Sequence, residues 1–155
     1  MTMPSHLSKT GPDQVGVPDT SPPQAAVRIQ LRELVHARGE SVVTVTLARQ
    51  GQRVVGIGRA RAEAPASLEF LAADATVHAL NRLSTPPNQL RLEHVQRTQL
   101  GELDLCLVQV TVFVDQEPQT AIGVGRIQHD IAEAAARAVL DATNRYFARL
   151  TPGLY

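Results

Sequence analysis

From residue 27 the apolar and polar positions fall into two alternating regimes, and the order of the regimes repeats. Val27-Arg-Ile-Gln-Leu-Arg-Glu-Leu-Val35 alternates apolar with charged, the pattern of a half-buried strand. Ser41-Val-Val-Thr-Val-Thr-Leu-Ala-Arg49 is β-branched almost throughout, which predicts a second strand. Gln50-Gly51-Gln52 reads as a hairpin turn, with Arg53 to Arg59 as the return strand. The period then changes. Leu68, Leu71, Ala72, Ala75, Ala79 and Leu83 recur at helical spacing, and Pro86-Pro87 ends the run.

The second half writes the same order again. Leu90 to Val95 alternates, Asp104 to Val114 is a long apolar strand, and Asp115 to Gln119 is a turn. Thr120 to Arg126 returns, and Asp130 to Leu150 has helical period. Setting Gly56 on Gly123 superposes Val43-Thr-Val45 on Val110-Thr-Val112, Gln52 on Gln119, and Gly58-Arg59 on Gly125-Arg126 without a gap. The helix-end pair Asn81-Arg82 meets Asn144-Arg145 after a short deletion. Register held through strand, turn, strand and Gly-x-Gly-Arg argues for duplication of one β-β-β-α unit. The expected fold is α+β: two such units, about 27–83 and 90–150, each antiparallel sheet covered by one helix. They form a domain over 25–150. Residues 1–24 hold half of the ten prolines and no long apolar run, so a disordered tail without a targeting signal is expected there.

Composition narrows the function. The 155 residues carry 15 basic and 15 acidic groups, with 3% aromatics and no tryptophan. The core must be aliphatic, and neither net charge nor aromatic platforms favour nucleic acid. No stretch is apolar for the ~20 residues a bilayer crossing needs, so no membrane partner is expected and a cytoplasmic location is. The single Cys106 sits in the most apolar strand, where a buried, inert thiol is expected.

Candidate chemistry is sparse. The histidines are scattered without metal-ligand spacing, and no serine sits in a nucleophile elbow. Asp130 and Glu133 form an Asp-x-x-Glu capping box ahead of an apolar run rather than a carboxylate pair. No catalytic residue, metal or cofactor is expected. What remains is the duplicated Gly-x-Gly-Arg. It reads either as a close approach of strand to helix, or as an anion site made by Gly58, Arg59, Gly125 and Arg126 beside two helix N-termini.

The run Gly125-Arg-Ile-Gln-His-Asp130-Ile131-Ala-Glu133-Ala134, ending Ala142-Thr-Asn144-Arg145, resembles the C-terminal regulatory domain of 2-isopropylmalate synthase. That allosteric, dimerising domain also consists of two β-β-β-α units. Its Gly-x-Ser-x-Asp-Ile-Ile-Glu-Ala-Ser-like motif leads into the last helix. The resemblance covers roughly residues 27–150. In its leucine pocket the family carries a Gly-Asn-Gly-Pro-Val-Asp-Ala-like loop. Here that region reads Gly58-Arg-Ala-Arg-Ala-Glu-Ala-Pro65-Ala, without the second and third glycines or the acid after proline. The catalytic barrel has no counterpart in this sequence. The resemblance implies a non-catalytic module that senses a small acidic or amino-acid ligand or assembles a homodimer. Two other classes stay open: a nucleic-acid-binding α+β protein using Arg59, Arg61 and Arg126 as a patch, and a structural subunit of a larger enzyme.

Overall fold

The computed structural model describes residues 28–37, 41–61, 65–84 and 89–150, with side chains as far as Phe147. The expected tail over 1–24 lies outside the described residues. The first unit runs β1 (Gln30–His36), β2 (Val42–Arg49), β3 (Gln52–Arg59), α1 (Leu68–Leu83). The second runs β4 (Leu90–Leu100), β5 (Leu103–Val114), β6 (Glu117–Arg126), α2 (Ile131–Leu150). Each sheet has its long middle strand between two antiparallel neighbours, in the orders β1-β2-β3 and β4-β5-β6. The repeated β-β-β-α architecture is thus the one the pattern predicts, but not its ungapped register. Val43 and Val45 pair with Gly58 and Gly56 where Cys106 and Val108 pair with Gly125 and Gly123, because the second hairpin is longer.

Strand ends differ from expectation where the sequence is polar. β4 continues past Val95 through Gln96-Arg-Thr-Gln to Leu100, then turns at Gly101, whose φ is 63°. Both faces of this edge strand are largely exposed beyond Val95, so nothing there demands alternation. β6 starts at Glu117 because the turn before it is only Asp115-Gln116, with φ of 53° and 68°. Gln50-Gly51 makes the same two-residue turn between β2 and β3, with φ of 50° and 81°. Pro118 is tolerated because β6 is an edge strand.

Pleating sends Val43, Val45 and Leu47 of β2, and Cys106, Val108, Val110 and Val112 of β5, onto the helix-bearing faces. Side chains on these faces are fully buried against alanine-rich helices, with Ala72, Ala75 and Ala79 on α1 and Ala135, Ala138 and Ala142 on α2. The two units meet through their helices, not sheet on sheet. α1 packs on α2, and each helix also touches the first strand of the other unit, α1 on β4 and α2 on β1. Asn81 fixes one of these junctions. Its amide donates to the Leu90 carbonyl at 2.9 Å and accepts from the Leu90 N–H at 2.8 Å. Arg49, buried at the end of β2, lies 5.7 Å from the centre of the Phe147 ring on α2. The buried hydroxyls of Thr76 and Thr143 donate to carbonyls one turn back in their own helices.

Both helices start on a side-chain cap at equivalent places. Ser67 accepts from the Phe70 N–H, and Asp130 accepts from the Ala132 N–H at 3.0 Å. Only half of the expected capping box forms, since Glu133 turns to Arg137 at 2.9 Å.

Candidate functional site

Gly56, Gly58, Gly123 and Gly125 are notches. A methyl at Gly56 would fall on the Ala75 carbonyl oxygen and 2.5 Å from the Ala79 nitrogen, and one at Gly123 would fall on Ala138 and 2.6 Å from the Ala142 nitrogen. Methyls at Gly58 and Gly125 would strike the Leu71 and Ala134 carbonyls. The helix backbone therefore lies directly on the return strand in both units, the close approach that the motif suggested. The helix-side faces of these glycines are filled by protein.

The arginines that follow point the other way. Arg59 and Arg126 pair across their sheets with Val42 and Leu105, on the outer faces, and both are exposed. Each sits between its return strand and the start of its helix, but their surroundings differ. Arg126 borders a shallow depression of ≈ 70 Å³ with Gln128, His129, Asp130, Glu133, Ala134 and Arg137, two of whose walls are carboxylates. Arg59 borders an open groove of ≈ 750 Å³, with Ile57, Ala60, Ala66 and Phe70 as apolar walls and Arg61 beside it. Where the units meet, β1 and α2 leave another groove of ≈ 440 Å³, and its walls include Arg137 and Asn144 but neither Arg59 nor Arg126. The structure brings each Gly-Arg pair to the head of its own helix and does not bring the two pairs together in one described groove.

The far wall of the Arg59 groove holds an acid-imidazole pair the sequence reading passed over. Asp74 and His78, one turn apart on α1, approach to 3.6 Å, and His78 Nδ1 lies 2.7 Å from the Ile57 carbonyl. Burial pushes the Asp74 carboxyl above its usual range, and His78 partly offsets this. Nδ1 donates to the backbone carbonyl, and Nε2 faces the Asp74 carboxylate beyond hydrogen-bond distance. The (i, i+4) spacing of Asp74 and His78 was the available signal. The Ser67 hydroxyl is held as the helix cap. The groove can therefore hold an anion with an apolar body, through two guanidinium groups and aliphatic or aromatic walls.

Cys106 is fully buried opposite Gly125, and its thiol is pushed up to about 11, first by burial and then by the Glu69 charge. A thiol held that firmly protonated is a poor nucleophile. Among the described residues no group of three His, Cys, Asp or Glu side chains could hold a metal ion, and no helix is long and apolar enough to cross a membrane. No protein-family model matches this chain, and no curated protein matches it by sequence.

Proposed function

We propose that this chain is a non-catalytic module that forms a homodimer and senses a small acidic ligand. This is the role implied by its resemblance to the regulatory domain of 2-isopropylmalate synthase. The observation that carries the dimer is the outer face of the second sheet. Leu100 (67% exposed), Ile122 (57%), Val124 (43%) and Leu103 (37%) stand there beside half-buried Leu105 and Leu107. Val124 lies opposite Leu107, and Leu100 opposite Leu103, so these side chains form one contiguous apolar patch. Soluble proteins rarely leave such a patch uncovered. A second copy covers it without needing a complementary charge pattern, and a symmetric interface of standard size buries about 1,600 Å². Sedimentation at micromolar concentration should show a dimer, and Ile122→Glu with Val124→Glu should shift it to monomer. A wild-type chain that sediments as a monomer ends the dimer reading.

The ligand side of the proposal rests on the Arg59 groove. Arg59 and Arg61 offer forked donors to a carboxylate, and Ile57 and Phe70 offer apolar surface to an aliphatic tail. Branched-chain amino acids and their 2-keto acids are the first candidates. A ligand at a hundred times its dissociation constant should stabilise the fold by ~2.7 kcal/mol, an easily read rise in melting temperature. Arg59→Ala should abolish that rise. Unmoved melting with every member of the series would refute ligand sensing in this groove.

A further inference from the structure

The basic groups of the first unit gather at a second place, remote from the loop that follows Arg59. Arg28, Arg32 and Arg53, with Gln30, Ala48, Gln50 and Gly51, line an open depression of ≈ 490 Å³ at the β2–β3 turn. We propose that this depression binds the phosphoryl or diphosphoryl group of a small molecule, a site independent of the groove assigned to the carboxylate ligand.

Register makes the cluster. Gln30 pairs with Ala48, and Ala48 with Arg53, so the three form one row across the outer face of the sheet. Ala48 is small and buried in the middle of the row, which leaves a floor between taller neighbours. Arg28 lies two residues before Gln30 and shares its side of the chain. Arg32 is the extra residue where the pairing slips between Leu31 and Glu33, and such a slip re-aims a side chain that regular pleating would send elsewhere. The positive φ of Gly51, 81°, closes the turn tightly without a side chain over the mouth.

The electrostatics favour an anion with more than one charge. Among the described residues no carboxylate lines the depression. Among the described residues the arginine ion pairs with carboxylates belong to Arg91, Arg97 and Arg137, none of them in this cluster. Three guanidinium groups around one depression repel one another, and an anion relieves that repulsion while accepting several forked hydrogen bonds. The fold does not demand this chemistry. In the second unit the corresponding turn is Asp115-Gln116 followed by Glu117, and Phe113 and Pro118 stand where Ala48 and Arg53 do, so that hairpin end is acidic and has no arginine row. The patch spans one hairpin end and, among the described residues, carries no aromatic side chain for base stacking, which favours a small phosphate compound over a nucleic acid.

The test is titration of inorganic pyrophosphate into the full chain at 0.15 M salt, read by calorimetry and by amide NMR shifts. One site per chain is expected, with shifts confined to the β2–β3 turn and the start of β1, and weaker binding of orthophosphate. Arg28→Gln, Arg32→Gln and Arg53→Gln should each weaken binding about tenfold or more, and Arg53→Lys by less, because the charge stays and the fork is lost. Arg97→Gln, in the other sheet, should bind as the wild type does. All four arginines are exposed, so unchanged circular dichroism melting is expected and confirms that the variants fold. No binding at millimolar pyrophosphate overturns the proposal. So does equal weakening by Arg97→Gln, or an oligonucleotide that binds more tightly than pyrophosphate with a steep loss of affinity as salt rises.

Discussion

At Gly56 and Gly123 a single hydrogen is all that separates strand backbone from helix backbone. The consequence is a sharp contrast among glycines. Gly123→Ala forces a methyl into the Ala138 and Ala142 backbone, which cannot move without lifting the helix off its sheet. Overpacking of that kind should cost about 3 kcal/mol or more. Gly101→Ala meets open space and pays only for its φ of 63°, about 1 kcal/mol. Urea denaturation of both variants should show that ordering, and equal costs would mean the notch is looser than its geometry. The Gly-x-Gly spacing was legible in the sequence, but its purpose was not, because a close approach and an anion cradle ask for the same residue. Cys106 gives a second residue-level prediction. Its folded thiol titrates near 11 against an ordinary 9.0. Folding therefore favours the protonated form, a contribution complete below about pH 9 and lost as pH rises toward 11. Thiol reagents at pH 8 should label the native chain only as fast as it opens, and burst labelling of folded protein would contradict the burial.

Among the elements, strands were read well where one face is buried and poorly where neither is. β2 and β5 carry their alternation across the full core, so their bounds were nearly right. The far half of β4 and the start of β6 are edge segments with exposed polar residues, where pairing with β5 is the only constraint. The arginine depression escaped the sequence reading for a related reason. Arg28, Arg32 and Arg53 become neighbours only through the register of three strands and one slip in it. The first copy of the Asn-Arg pair at the helix ends also holds elements together. Asn81 clasps the start of β4, and Arg82 donates to the Val55 carbonyl at 3.0 Å on the open edge of β3. His78 meets the same edge at Ile57, and in the second unit Asp141 accepts from the Val124 N–H at 3.0 Å. Each return strand thus has part of its free edge occupied by its own helix, which discourages pairing with a stray strand. Asn81→Ala leaves both backbone groups of half-buried geometry without their partner and should cost about 2 kcal/mol. Asp130→Ala removes one exposed cap and should cost about 1 kcal/mol. Thermal melts of the two variants would check the ranking.

For the whole molecule, the decisive feature is that helices, not sheets, join the units. α1 and α2 bury their apolar stripes on their own sheets and on each other, and each reaches across to the first strand of the other unit. The sheets are left with one face apiece turned outward, and the second of these is the more apolar. The proposed dimer would therefore use a surface different from the one that pairs the units, and Ile122→Glu should leave the melting cooperativity of the chain intact. A single transition by both fluorescence and calorimetry is the expected result. The reciprocal grip of each helix on its neighbour's first strand has a further outcome. The covalent link between Ser84 and Gln89 is not what holds the halves in register, because α1, α2, Asn81 and Leu90 do that through space. A chain cleaved there should complement itself. Two polypeptides ending and beginning at that point, each unable to cover its alanine-lined helix alone, should reassemble when coexpressed and regain the spectrum of the intact protein.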